Sequence, residues 1–212
     1  TIFAVACLGV LISTGVIGMA AYFVLGLPLV IALVFGAIAT PTDPVAVLGV
    51  LRKANLSKAM ETRIAGESLF NDGVAYVVYL VLVAMAFGHG EHAMGLTEAA
   101  MLFFKEAFGG AVLGGVLGWI TFAVMRRIDD FVLEVLLSLA LVFGGYALAL
   151  ELHVSAPIMA VVAGLLIGHV GMRDAMSAVT REKLDDFWKI IDELLNALLF
   201  AMIGFEIFAV TV

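Results

Sequence analysis

Seven apolar runs, each about the length needed to cross a bilayer, constrain this chain more than any other feature. A helix needs about 20 mostly apolar residues to span about 30 Å of hydrocarbon. Such runs are read near residues 1–25, 27–51, 62–87, 101–125, 131–150, 154–171 and 187–210, the sixth being short. Composition agrees: 64% of residues are hydrophobic and only 14% charged, against about 25% charged in an ordinary soluble domain. A 212-residue soluble core has no room for so much apolar surface. The reading is an all-α integral membrane protein with the lipid bilayer as its solvent.

The separators between runs carry turn and charge signals: Gly26-Leu27-Pro28, the charged stretch 52–63, the loop 88–98, and Arg126 to Asp130. Basic residues then orient the spans. Arg52, Lys53, Lys58 and Arg63 follow the second span, Arg126 and Arg127 the fourth, and Arg173, Arg181, Lys183 and Lys189 the sixth. Alternating spans put all of these on one side, and Lys105 is the one exception. By the positive-inside rule, the loops 52–63, 126–130 and 172–189 are expected to be cytoplasmic in a multi-pass protein of the plasma membrane. The net charge of −7 adds little, and with no basic stripe there is no nucleic-acid partner to expect. Cys7 stands alone in an apolar run and reads as a packing thiol. With no charged n-region or cleavage site visible ahead of the first span, no signal peptide is expected. The chain starts at Thr1 and stops at the end of an apolar run, which reads as an excerpt of a longer chain.

Ionisable groups at membrane depth cost a few kcal/mol each and are functional candidates by default. Three stand out: Asp43 in the second span, and Glu67 and Asp72 in the third. Asp43 lies in Ala39-Thr40-Pro41-Thr42-Asp43-Pro44. Each proline lacks an N–H and crowds the carbonyl four residues back, so the span is expected to break between Pro41 and Pro44. Pro44 suits the first position of a new half-helix, with Asp43 as its N-cap. Broken backbone is tolerated in a membrane only where it lines a cavity or is buried in protein. Freed carbonyls, Thr42 oxygens and the Asp43 carboxylate then form an oxygen cradle for a hard cation. The plainer alternative is a proline kink that Asp43 merely caps.

The third span carries Gly66-Glu67-Ser68-Leu69-Phe70-Asn71-Asp72-Gly73. On a helix Ser68 and Asp72 stack on one face and Glu67 and Asn71 beside them, an arc of roughly 140°. That arc is expected to face the broken second span. A satisfied internal hydrogen-bond network is the competing reading. A carboxylate in such a place lets a proton and a metal ion compete for one group, which is the minimal chemistry of exchange. Glu67, one turn nearer the cytoplasm, needs a cationic partner. No Lys or Arg within these spans is an obvious partner.

Other features read more simply. Gly110, Gly114 and Gly118 give one face of the fourth span a close-packing stripe. His89, Glu91 and His92 read as a solvated loop, His153 and His169 as interfacial, and the methionines as packing. Glu134 and Glu206, near span ends, are expected to snorkel or cap. Gly66-Glu67-Ser68 does not complete a nucleophile elbow, since Phe70 stands where glycine is required.

Thr42-Asp43-Pro44 and Gly66 to Gly73 resemble the sodium/proton exchanger (NhaP/NHE) branch of the monovalent cation:proton antiporters. So do Ser155-Ala156-Pro157 leading to Ala163-Gly164-Leu165-Leu166-Ile167-Gly168, and Asp192 to Phe200 running into Ile203-Gly204-Phe205-Glu206. The resemblance implies a secondary active transporter, not an enzyme, exchanging Na⁺ or Li⁺ for H⁺ without a cofactor. It implies that Asp72 is the ion-binding, proton-exchanging residue, that Thr42, Asp43 and Ser68 help coordinate the cation, and that Asn71 holds the site together. Glu67 is implied to pair with an arginine beyond residue 212. The Asn71-Asp72 pair goes, in that family, with electroneutral exchange. The implied fold is a larger inverted-repeat antiporter that forms a homodimer. Residues 1–87 would be its core, 88–130 a linker helix with its loops, and 131–212 the dimerisation scaffold. K⁺/H⁺ exchange on the same fold and a cation channel are the alternatives. A membrane hydrolase built on Ser68 lacks a base.

Overall fold

A computed structural model describes residues 2–42, 58–87, 96–168 and 177–209. These form seven helices: α1 (Ile2–Leu25), α2 (Leu29–Ala39), α3 (Lys58–Phe87), α4 (Leu96–Met125), α5 (Phe131–Glu151), α6 (Ala156–Leu166) and α7 (Ala178–Ala209). Among the described residues there is no strand. Within α1, α3, α4 and α5 lie stretches long and apolar enough to cross a membrane, while α2 and α6 are shorter apolar helices. Large side chains such as Phe23, Phe108, Phe143 and Phe208 point outward, each more than 70% exposed. In water such a surface would aggregate; in lipid it is the ordinary outer face.

The first hairpin is set by its turn and its glycines. Gly26 adopts a left-handed backbone, φ +65°, which ends α1 at no steric cost. Pro28 precedes α2 and its carbonyl accepts from the Ala32 N–H at 2.9 Å. The two helices then approach backbone to backbone. A Cβ added to Gly18 would lie 3.0 Å from the Leu33 Cα, and one added to Gly36 would lie 2.9 Å from the Gly18 nitrogen and collide with the Thr14 carbonyl. Helix α3 packs on both. Val10, Ala37, Val74, Ala75 and Val78 form the buried cluster that holds the three together.

A second cluster joins α4, α5 and α6 around Met125, Leu141, Met159, Ala163 and Ile167. Here the glycine stripe packs within the chain: Gly110 lies over the Ser155 carbonyl, Gly114 over Met159 and Gly118 over Ala163. Helix α6 starts on an N-cap, with the Ile158 N–H donating to Ser155 Oγ at 3.3 Å. Asp130 caps α5 in the same way through the Leu133 N–H at 3.0 Å. The two clusters meet where α3 touches α4 and α6, with Gly73 against the Ile158 side chain.

Three sequence boundaries need correction. The stretches 52–63, 88–98 and 172–189 were expected as loops, but helix begins at Lys58, Leu96 and Ala178. The largest change is in α7. Its first turns are amphipathic, with Leu184 buried and Arg181, Glu182, Asp185, Asp186 and Lys189 exposed. They lie on the start of α5: Thr180 Oγ1 donates to Asp129 Oδ1 at 3.1 Å, and Trp188 Nε1 to Ser138 Oγ at 3.1 Å. Lys183 sits 5.3 Å from the centre of the Phe131 ring. A charged stretch with an apolar stripe at helical spacing folds when a neighbour covers the stripe.

Candidate functional site

The break in the second span starts where the prolines require it. Helix α2 ends at Ala39, and Thr40, Pro41 and Thr42 are outside it. Asp43 and Pro44, the expected start of the second half-helix, lie outside the described residues. The freed end is not bare. Thr40 Oγ1 donates to the Gly36 carbonyl at 2.7 Å and lies 3.2 Å from Thr14 Oγ1, both threonines being buried. Thr42, two residues on, is exposed. Counting 1.5 Å per residue from the Gly26 turn, Thr14 and Thr40 are each about 20 Å along their helices. Measured from a turn at one membrane surface, that distance ends inside a hydrocarbon layer about 30 Å thick.

The polar residues of α3 sit in the middle of one continuous helix, so Asn71-Asp72-Gly73 is not a turn. Asn71, Val74, Ala75 and Val78 follow helical spacing on one face. The last three pack with Ala37, one turn before the break. That shared cluster brings the Asn71-Asp72 turn and the end of α2 into one neighbourhood. Ser68 is buried, Asn71 is half-buried, and Asp72 and Glu67 are exposed. The Asn71 Oδ1 atom is itself buried and has no hydrogen-bond partner among the described residues. An orphaned acceptor beside a broken helix suits an oxygen-seeking ligand or a donor from outside these residues. On the other side of α3, Leu69, Phe70 and Gly73 line a wholly apolar cavity of about 370 Å³ shared with α1, α4 and α6.

Among the described residues no group of three or more His, Cys, Asp or Glu side chains is placed to hold a metal ion. The oxygen set expected here is of another kind, with one described carboxylate, hydroxyls and backbone carbonyls. This suits a weakly held monovalent cation better than a tightly chelated divalent one.

Glu134 departs from expectation. It neither snorkels nor caps: the cap of α5 is Asp130, and Glu134 is fully buried with neither carboxyl oxygen hydrogen-bonded among the described residues. Its position explains this. Glu134 belongs to the stripe Glu134, Ser138, Leu141, Gly145, Ala149, the buried face of α5, so the side chain cannot reach the interface. The sequence signal was present in that spacing. Glu206, by contrast, is exposed near the end of α7.

An all-helical bundle with membrane-length apolar stretches, in which a short apolar helix ends just before Pro41 beside a polar turn on the next helix, is an arrangement that transporters use. The chain's family is then settled by comparison. The whole chain, residues 1–212, matches the family model "Sodium/hydrogen exchanger, transmembrane", and the chain belongs to that family. It is 52% identical over 204 residues to the Na(+)/H(+) antiporter NhaP of Pseudomonas aeruginosa, covering 94% of this chain and 48% of that protein. The Na(+)/H(+) antiporter NhaH of Halobacillus aidingensis is 40% identical over 208 residues, 98% of this chain and 52% of its own length. The antiporter ApNhaP of Aphanothece halophytica is 36% identical over 202 residues, 95% and 38% respectively. The chain thus spans about half the length of the first two relatives.

Proposed function

We propose that the complete protein is a secondary active transporter that exchanges Na⁺, or Li⁺, for H⁺ across the cell membrane. One observation carries the reading. Helix α2, which ends just before Pro41, shares a packing cluster with Val74, Ala75 and Val78, the turns of α3 that follow Asn71 and Asp72. The names of its relatives, Na(+)/H(+) antiporters, point the same way.

In this reading Asp72 is the carrier. Its carboxylate binds the cation or a proton but not both, because each neutralises the same charge. Thr42 and Asp43 at the break and Ser68 on α3 supply further oxygens. Asn71 Oδ1, unpartnered among the described residues, takes a donor that fixes the site. One cation for one proton at a single carboxylate gives electroneutral exchange. Glu67, exposed here, pairs with a cationic side chain from the rest of the protein. Residues 1–87 form the moving core, 88–130 the link and 131–212 the scaffold of a homodimer. The basic segments 52–63, 126–130 and 172–189 face the cytoplasm. No cofactor and no enzymatic step enter the cycle.

The test uses the full-length protein in proteoliposomes carrying a pH-sensitive dye. Adding Na⁺ or Li⁺ to one side should drive proton movement in the opposite direction, undiminished when the membrane potential is clamped with K⁺ and valinomycin. Proton flux that appears only with K⁺ would replace Na⁺ as the substrate. Conductance without coupled proton movement would make the protein a channel and end the proposal.

A further inference from the structure

We propose that Thr14, on α1, is a positioning residue for the ion site: its hydroxyl anchors the end of α2, two residues before Thr42. This rests on the site reading above and adds to it a residue outside the motifs of the second and third spans.

Hydrogen counting assigns the direction of the contact. Thr40 Oγ1 has a single hydrogen, and the Gly36 carbonyl at 2.7 Å can only accept, so that hydrogen is committed there. The 3.2 Å contact between Thr14 Oγ1 and Thr40 Oγ1 therefore runs with Thr14 as donor. Thr40 is thus held from both sides, by its own helix and by α1. The hold matters at this residue because Pro41 follows. A proline biases its predecessor away from helical backbone, yet Thr40 keeps φ −77° and ψ −39°. A bond from a neighbouring helix helps fix the conformation from which Pro41 and Thr42 continue.

Helix α1 is a suitable anchor because its backbone lies directly against that of α2. Gly18 against Leu33 and Gly36 against the Thr14 carbonyl leave no space even for a methyl group. Thr14 and Thr40 are 4% and 9% exposed, so water is a poor substitute for the lost donor. The chain Thr14–Thr40–Gly36 thus turns helix–helix packing into a fixed starting point for Thr42, two residues beyond Thr40.

The experiment measures Na⁺-driven proton flux of the full-length protein in proteoliposomes for Thr14→Val, Thr14→Ser and Thr14→Ala. Valine keeps the shape and removes the donor; serine keeps the donor. Thr14→Val should raise the apparent KM for Na⁺ about fivefold, the size of one ordinary hydrogen bond. Maximal flux per folded protein should change less than about twofold, and Thr14→Ser should retain the native KM. A residue that served only folding would lower the yield or melting temperature and leave the KM of the folded fraction unchanged. If Thr14→Val fails to fold, Ser and Ala replace it as the decisive pair. Both lack the methyl and differ only in the hydroxyl, and the KM should rise in Ala alone. An unchanged KM in Thr14→Val, or an equal rise in Ser and Ala, overturns the proposal. Asp72→Asn in the same vesicles separates the two levels. Retained exchange there overturns the site reading itself, whereas a silent Asp72→Asn with a native KM in Thr14→Val overturns only the role of Thr14.

Discussion

At the scale of single residues, the chain sorts its acids by what surrounds them. Asp72 is exposed among the described residues and stands one turn from side chains packed against Ala37 of α2. Asparagine in its place keeps the shape but can neither take up a proton nor offer a full negative charge. Asp72→Asn should therefore reduce Na⁺-driven proton flux to the level of empty vesicles while the protein still inserts and purifies at normal yield. Glu67 belongs to a different class. If it pairs with a cation in the rest of the protein, truncation leaves that cation unpaired. Glu67→Ala should then lower the melting temperature of the full-length protein by roughly 5–10 °C. Na⁺ binding by the folded fraction should stay near normal, and a calorimetric titration of purified Glu67→Ala separates the two effects. Glu134 is a third case, a buried carboxyl with no hydrogen bond among the described residues. A methionine of similar size removes the burden of the unsatisfied oxygens. Glu134→Met should raise stability by about 1–3 kcal/mol, seen as a higher midpoint in thermal unfolding. A lower midpoint would show that Glu134 has a partner in the rest of the protein.

At the scale of helices, what the sequence made legible follows from which forces act locally. Proline chemistry is local, so the end of α2 at Ala39 could be read from Pro41. The continuity of α3 through Asn71-Asp72-Gly73 was legible from the apolar run that follows it, since in lipid the backbone must bond to itself. The start of α7 was not. Helix formation over 178–189 is supported by Thr180 meeting Asp129, just ahead of α5, and by Trp188 meeting Ser138 on it, and a tertiary contact leaves no mark in a hydropathy window. The burial of Glu134 follows from its place on the buried face of α5, which nearness to a span end does not reveal. The Thr14–Thr40 bond was illegible altogether, as it joins residues 26 apart through a crossing that two glycines permit. Close crossings also make a prediction for the stripe on α4. A side chain at Gly114 would meet the Met159 backbone, which cannot swing aside as a flexible tip would. Gly114→Val should separate α4 from α6 and cost about 1–3 kcal/mol or more, measured as a fall in the melting temperature of detergent-solubilised protein. Gly115→Val is the control, because space around Gly115 is open.

At the scale of the molecule, two helix clusters meet where α3 touches α4 and α6, and the proposed exchange would have this seam move. One cluster, α1 to α3, carries the candidate ion site; the other, α4 to α6, is welded by its glycine stripe. Between them lie an apolar cavity of about 370 Å³ and the contact of Gly73 with Ile158. An apolar seam with few polar ties lets one body slip past another without breaking hydrogen bonds, as a carrier site that faces each side in turn demands. The contact can be locked. A Cβ built on Gly73 stands 4.0 Å from the Ile158 Cα and 3.1 Å from Ile158 Cγ1. Replacing both residues by cysteine removes the bulk of the isoleucine just where the new Cβ needs room. The resulting spacing falls within reach of a disulfide. In full-length protein stripped of other cysteines, Cys7 included, oxidised Gly73→Cys/Ile158→Cys should show at least a tenfold loss of Na⁺-driven proton flux. Dithiothreitol should restore the flux, and each single variant should be insensitive to oxidant. Full activity with the bridge quantitatively formed would mean that α3 and α6 travel together, and the moving boundary would then have to lie elsewhere in the protein.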